Sequence, residues 1–120
     1  MKIFRNQNFA SQLITDTGTV YLDPKLNLES VFEGSVLFTA TPTNATGTFD
    51  VDAQLQGSNS EDFSTGVINL GSPVALVDTT TSAIALSGTQ LAYAYYRVAI
   101  TGADTQTTNV VGTVTIKGRD

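Results

Sequence analysis

The chain has 120 residues with six basic and eleven acidic side chains, a pI of about 4.3, and neither cysteine nor histidine. This length fits one domain with a single core, and the missing residue types exclude disulfides, thiolate metal sites and the most frequent general base of enzymes. A net charge of −5 also disfavours nucleic acid as a partner, because phosphate contacts require a basic surface.

The first 15 residues show no clean hydrophobic period and lack the apolar segment of a signal peptide. We interpret residues 1–15 as an extended N-terminal arm and residues 16–120 as a β-sandwich domain. The arm's aromatic and basic side chains are candidates for docking on a neighbouring subunit: Lys2, Phe4, Arg5 and Phe9. The alternative is that this segment forms the first edge strand. Since no stretch approaches the about 20 apolar residues of a membrane helix, we expect no membrane partner.

Strand patterns occupy most of the chain after the arm. "TVYLD" (19–23) and "LNLESVF" (26–32) favour short strands, although Asp23 and Pro24 are also typical of the start of a short helix. "SVLFTAT" (35–41) and "GTFDVDAQLQG" (47–57) alternate apolar and polar residues, which indicates one face on a core and one in water. The linker "PTNATG" favours a hairpin between these two strands.

The second half repeats this arrangement. "TGVINLG", "PVALVDT" and "SAIALSG" (65–88) favour three short strands, and "YRVAITG" and "VVGTVTIKG" favour a second hairpin around the turn "TGADTQTTN". Seven to nine strands of this kind predict an all-β, antiparallel, two-layer β-sandwich.

Carboxylates are the remaining candidates for chemistry. Asp50 and Asp52 lie two apart in one strand pattern, and Glu61 and Asp62 lie in a turn. Alternation alone places such residues on a solvent-facing surface, and the oxygen-ligand spacing of a calcium loop is missing. The Asn44 sequon has a spacing that is frequent by chance in threonine-rich chains. We therefore expect no enzymatic activity, no cofactor and no metal.

The segment "LAYAYYRVAITG" (91–102) contains three tyrosines and an arginine. Strand alternation divides it into a core face with Tyr96 and an outer face with Tyr93, Tyr95 and Arg97. Because arginine and tyrosine are enriched in protein interfaces, the outer set is a candidate protein interface. Cross-strand packing is the second interpretation, and a single-stranded nucleic-acid platform is a distant third because other basic residues are missing.

Residues 30–118 resemble small β-sandwich virion proteins of tailed bacteriophages. The residues that carry the resemblance are Gly57, Ser58, Asn59, Phe63, Tyr96, Arg97, Val98, Thr101, Gly102, Lys117 and Gly118. The sequence departs from the family pattern at Ser60 and Glu61, where Asp and Gly are expected, and at Phe63, where Trp is usual. These differences argue against a ligand site at this turn.

The resemblance implies a non-enzymatic capsid decoration (cement) or head-fibre protein of jelly-roll or galactose-binding-like fold. It implies a location on the capsid surface of a virion, the major capsid protein as partner, and a homotrimer. The arm residues would then bind the capsid. The alternative function, from the likeness to galactose-binding-like sandwiches, is a carbohydrate-binding accessory module of a phage tail or fibre, with Tyr93, Tyr95 and Phe63 as candidate sugar-stacking residues.

Overall fold

The computed structural model describes the backbone of residues 2–22, 26–27, 33–87 and 93–119, and the side chains of 6–22, 35–86 and 93–117. The described residues form ten strands and no helix. The strands are β1 (Lys2–Asn8), β2 (Gln12–Thr15), β3 (Thr19–Tyr21), β4 (Leu26–Asn27), β5 (Glu33–Gly47), β6 (Val51–Ser58), β7 (Ile68–Ala75), β8 (Ser82–Ser87), β9 (Tyr95–Gly102) and β10 (Gln106–Arg119). The Asp23–Pro24 alternative lies outside the described residues.

Two antiparallel five-stranded sheets form a β-sandwich, as the sequence pattern predicts. The first sheet has the order β1-β10-β5-β8, with β2 also paired to β10, and the second has the order β3-β9-β6-β7, with β4 also paired to β9. When β1 with β2, and β3 with β4, are each counted as one interrupted strand, this is an eight-stranded jelly roll. Each sheet thus holds strands from both ends of the chain.

Neither predicted hairpin forms. β5 and β6 lie in different sheets, and so do β9 and β10. Thr48 to Asp50 connect β5 to β6, and three extended residues span roughly 10 Å, which is the distance between packed sheets. Alternation reports which side chains face the core, but both sheets face the same core. It therefore does not report which strand is the hydrogen-bonded neighbour.

The segment 65–88 forms two strands where the pattern favours three. The first two apolar runs join into β7, which pairs with β6 through a register shift between Ala53 and Leu55. Gly71 lies at this irregularity with a φ of 74°, a left-handed conformation that glycine adopts without steric cost. Gly71 and Pro73 therefore belong to a bulge within the single strand β7, and they do not form a turn between two strands.

The N-terminal segment is an edge strand of the first sheet and not a separate arm. β1 pairs with β10 from Lys2↔Arg119 to Asn8↔Thr113, and β2 pairs with the preceding part of β10. Ile14 is fully buried, and the ring of Phe9 stacks on Phe38 with centroids 6.3 Å apart. The expected boundary at residue 15 therefore divides a continuous core.

The core lies between the sheets and follows the predicted alternation. Side chains from the inner faces of β2, β5, β6, β8, β9 and β10 form one buried cluster. Its largest fully buried members include Tyr96, Phe38, Ile14, Leu55 and Ile100. Each such side chain contributes about 1.5 to 3 kcal/mol of hydrophobic stabilisation. The alternating pattern "GTFDVDAQLQG" places Phe49 within a strand. In the structure Phe49 lies in the link before β6, where it is half-buried against this cluster.

One buried residue bonds to three links that cross between the sheets. Gln106 is 1% exposed, and its Nε2 donates to the carbonyl of Asp50 at 2.7 Å and to that of Asp104 at 3.3 Å. Its Oε1 accepts a hydrogen bond from Thr108 Oγ1 at 2.7 Å. Its backbone N–H donates to Asp16 Oδ1, and its carbonyl accepts from the Asp16 N–H. The links β2–β3, β5–β6 and β9–β10 are thereby held at one end of the sandwich.

Replacing Gln106 with alanine should lower the free energy of unfolding by about 2 to 4 kcal/mol, because buried polar groups lose their partners and a cavity remains. Urea unfolding of the purified chain measures this. The matched control is Gln7→Ala, since the Gln7 side chain is exposed and the change should cost under about 0.5 kcal/mol. Equal stability of the two variants would show that the amide does not hold the turns.

Candidate functional site

Arg97 lies on the outer face of β9, opposite the core. Its neighbours Tyr96 and Val98 are buried in the core, so the predicted division of the strand into two faces holds at these positions. β9 lies in the middle of the second sheet, between β3 on one side and β6 on the other. Side chains from both neighbouring strands therefore border Arg97.

The guanidinium of Arg97 lies between two aromatic rings. Its Cζ is 3.9 Å from the centroid of the Tyr21 ring and 4.3 Å from that of Phe63. Its Nε donates a hydrogen bond to Gln56 Oε1 at 2.7 Å. Stacking on two rings and one directed hydrogen bond fix the plane of the cation and its position on the sheet. We name Tyr21, Gln56, Phe63 and Arg97 the Arg97 cluster.

Phe63 reaches Arg97 from the loop 59–67, which connects β6 to β7. Its backbone has a φ of 57° and its N–H donates to the carbonyl of Ser60 at 3.0 Å. The left-handed conformation costs a non-glycine residue roughly 1 to 2 kcal/mol. The ring is 7% exposed, and its burial offsets this cost. The loop is thus folded so that an aromatic ring covers the cation.

Asp62 stabilises the tight turn of this loop from its exposed side. Its Oδ1 accepts hydrogen bonds from Ser60 Oγ at 2.6 Å and from the Ser64 N–H at 3.0 Å. These bonds favour the charged form, with the Ser60 hydroxyl the largest cause, and they lower the pKa of Asp62 from 3.8 to about 2. The carboxylate is therefore part of the loop's own hydrogen bonding.

Tyr93 does not face outward with Arg97. β9 begins at Tyr95, so the alternation does not extend back to Tyr93. Its ring meets Tyr96 edge-on at 6.3 Å and fills the space above Gly57, where a Cβ would lie 2.8 Å from the ring. Its N–H donates to the Tyr96 hydroxyl at 3.0 Å. Burial is the main cause that raises the pKa of Tyr96. Tyr93 therefore belongs to the margin of the core.

Tyr95 precedes Arg97 by two residues on the strand, but it is only 8% exposed. The expected interface set of Tyr93, Tyr95 and Arg97 is therefore not one exposed surface: Tyr95 is buried, and Arg97 is half-buried on the outer face. Two members of the Arg97 cluster, Tyr21 and Gln56, were not singled out from the sequence. The order of β3, β9 and β6 in the sheet brings them to Arg97, and no local pattern encodes that order.

The other sequence candidates do not converge. Asp50 is exposed in the link before β6, Asp52 is half-buried on the strand, and Glu61 is exposed in the loop 59–67. Within the described part of the chain, no group of three or more His, Cys, Asp or Glu side chains is placed to hold a metal ion. The described residues also contain no helix with the length and apolar character needed to cross a membrane.

Of the residues proposed for docking, Phe9 is 7% exposed and packs in the core. It is therefore corrected from a docking residue to a core residue, because in the link between β1 and β2 the Phe9 N–H donates to the carbonyl of Gly112 and the Phe9 ring stacks on Phe38. Lys2, Phe4 and Arg5 belong to β1, and their side chains lie outside the described residues.

No protein-family model and no curated protein matches the sequence. Solved structures do share the fold. A chain in the structure of infectious bursal disease virus, Gx strain, is similar with a TM-score of 0.63 and 7% identity over 98% of this chain. The match covers 32% of the virus chain, so the present chain spans about a third of its length.

Two further structures match nearly end to end. A Bacillus endospore appendage protein, from a family described as disulfide-linked pili, has a TM-score of 0.54 and 9% identity, with 100% of this chain and 92% of that one covered. The Yersinia pseudotuberculosis-derived mitogen has a TM-score of 0.55 and 12% identity, with 98% and 89% covered. At these identities the likeness establishes the β-sandwich fold. Disulfide linkage is impossible for this chain, which has no cysteine.

Lowering the pH should destabilise the loop 59–67. The pKa of Asp62 is lower in the folded protein than in the unfolded chain. The hydrogen bonds of its carboxylate therefore stabilise the loop above about pH 4, and this stabilisation is lost as the pH falls from 3.8 towards 2. An NMR titration of the Asp62 carboxyl should have its midpoint near 2, and Ser60→Ala should move it towards 3.8. Ser72→Ala, an exposed serine in β7, is the control. An unchanged midpoint in Ser60→Ala would contradict the assigned cause.

Proposed function

We propose that this chain is a non-enzymatic structural protein of a virion, which binds the major capsid protein on the outer surface of the capsid and stabilises the shell. The observation that carries the proposal is the match to a virus-structure chain over 98% of this chain. The independent resemblance of residues 30–118 to phage β-sandwich virion proteins supports the same class. A structural role of this kind needs a folded scaffold and a surface for attachment. The sandwich supplies the scaffold, and the attachment surface is part of the proposal.

The absence of enzymatic activity is part of this proposal. Among the described residues, the carboxylates lie on exposed or half-exposed surfaces, and Asp62 is engaged by two serines of its own loop. Asp50 is exposed in the link before β6 and Asp52 is half-buried on the strand, and this placement supports a binding role over catalysis.

The Arg97 cluster is the contact that we propose for the capsid. Arg97 is the sole basic residue between Lys25 and Lys117 in an acidic chain, and its orientation is fixed before any partner binds. A preorganised arginine loses little side-chain entropy on binding and offers its donors to a carboxylate or a backbone carbonyl. Lys2 and Arg5 of β1 remain proposed as a second cationic contact. Many copies on one shell would multiply such modest contacts.

The geometry argues against the carbohydrate-binding alternative. A sugar-stacking site needs an aromatic ring with an accessible face. Phe63 is 7% and Tyr95 is 8% exposed, and the Tyr93 ring packs on Tyr96 and Gly57. The ring face of Tyr21 that is directed towards Arg97 is covered by the guanidinium. The three residues named for sugar stacking are therefore used within the protein.

Purified particles of the virus that encodes this chain should contain it in many copies, as measured by quantitative mass spectrometry.

The variant Arg97→Gln should bind about tenfold more weakly than the wild type to particles from which the protein has been removed, because a central arginine contact is commonly worth about 1.4 kcal/mol or more. Lys117→Gln removes the same charge from the other sheet and should bind like the wild type.

Two results would contradict this proposal. Particles without the chain would remove the virion role itself. Equal occupancy of Arg97→Gln and the wild type would leave the role but exclude the Arg97 cluster as the contact, provided that urea unfolding shows both variants folded. A hit on a glycan array together with no binding to particles would favour the carbohydrate alternative.

A further inference from the structure

Strand β8 forms one edge of the first sheet. It pairs with β5 from Ser35↔Ser87 to Ala40↔Ser82, and no other described strand pairs with it. The backbone groups on the opposite side of β8 are therefore available among the described residues for another strand. An edge of this kind is a template for strand addition, and proteins usually protect such edges.

The remaining edges of the sandwich carry protective features. In the second sheet, β7 is bulged at Gly71 and contains Pro73, and β3 has three residues. In the first sheet, β1 contains the basic residues Lys2 and Arg5. Bulges, proline, short strands and charges all discourage strand addition. β8 has none of these features.

The stretch of β5 beyond β8 is also covered. The Asp78 carboxylate accepts a hydrogen bond from the Asn44 N–H at 2.9 Å, and the carbonyl of Pro42 accepts one from the Thr79 N–H at 2.8 Å. The connection between β7 and β8 thus satisfies the side of β5 that β8 does not reach. Protection stops where β8 begins, so among the described residues the open edge is Ser82–Ser87.

The composition of β8 suits pairing with a copy of itself. The strand reads Ser-Ala-Ile-Ala-Leu-Ser and contains no charge, proline or glycine. Ala83 and Ala85 are exposed on the outer face, while Ile84 is half-buried against the core and Leu86 is buried. Small residues therefore line one face of the edge, and apolar residues that extend the core line the other.

We propose that β8 pairs antiparallel with β8 of a second copy about a twofold axis at Ile84. Directly opposed residues of paired strands must share a face, so this register places Ile84 against Ile84 at the core side and Ala83 against Ala85 on the outer side. The two first sheets become one continuous ten-stranded sheet. The contact is isologous, so it closes after two copies.

Charge favours a second copy as the occupant of this edge. Two chains that each carry a net charge of −5 repel one another at most contacts. β8 brings together no charged side chain, and the nearest acid before it in the chain, Asp78, is hydrogen bonded to β5. The two paired strands therefore place no like charges opposite one another, and the hydrogen bonds and the ends of the Ile84 side chains contribute to the pairing.

Sedimentation equilibrium of the purified chain over a concentration series up to millimolar tests this pairing without any virus particle. We expect a reversible rise from 12.7 kDa to twice that mass. The double variant Ala83→Lys with Ala85→Lys places lysines directly opposite one another in the proposed register and should weaken association at least about tenfold. Both alanines are exposed in the single copy, so circular dichroism and urea unfolding should match the wild type.

Two controls make the result specific to β8. Asn109→Lys with Val111→Lys adds the same charges two residues apart on the exposed outer face of β10, and it should associate like the wild type. Mixing the lysine variant of β8 with Ala83→Glu and Ala85→Glu should restore a dimer, since opposite charges then face one another.

A wild-type chain that stays at 12.7 kDa overturns the proposal. The proposal is also overturned if the lysine substitutions in β8 leave association unchanged. It is likewise overturned if the chain forms a species of three times its mass and the lysine substitutions do not affect that species. The last result would support the trimer that the phage resemblance implies. None of these outcomes depends on whether the chain is found in virus particles, so the pairing and the virion role are tested separately.

Discussion

The structure depends on the buried hydrogen bonding of Gln106. Links that cross from one sheet to the other bring polar backbone groups to the end of an apolar core, and such groups must be hydrogen bonded when they are buried. One amide meets this requirement for the links at Asp50 and Asp104, while the backbone of the same residue bonds to Asp16. A single residue thereby bonds to all three links through which the chain leaves one sheet and enters the other.

This constraint also positions the Arg97 cluster. The links β2–β3, β5–β6 and β9–β10 cross at the same end, and β9 lies between β3 and β6 in the second sheet. Tyr21 and Gln56 then border Arg97 on either side, and the loop after β6 is long enough to lay Phe63 over it. The one basic side chain in the middle of an acidic chain is consequently rigid, and a rigid cation is better suited to protein recognition than a mobile one.

The two proposed contacts use different parts of the sandwich. The Arg97 cluster is on the outer face of the second sheet, where side chains and charge determine what can bind. The β8 edge belongs to the first sheet, and there the unpaired backbone groups and the absence of charge determine what can bind. A protein that attaches to a shell and also to a copy of itself would distribute load between neighbouring sites, which accords with a stabilising role on a particle.

The sequence by itself determined the fold class and the core face of most strands, because side chains in a strand alternate with a period of two and the apolar set must be buried. It placed Tyr96 and Val98 inside and Arg97 outside. Only the tertiary structure decided which strands are neighbours, that Phe9 is in the core, and that Tyr93 packs over Gly57. The physical reason is that alternation records a direction relative to the core, whereas pairing depends on contacts between segments far apart in the chain.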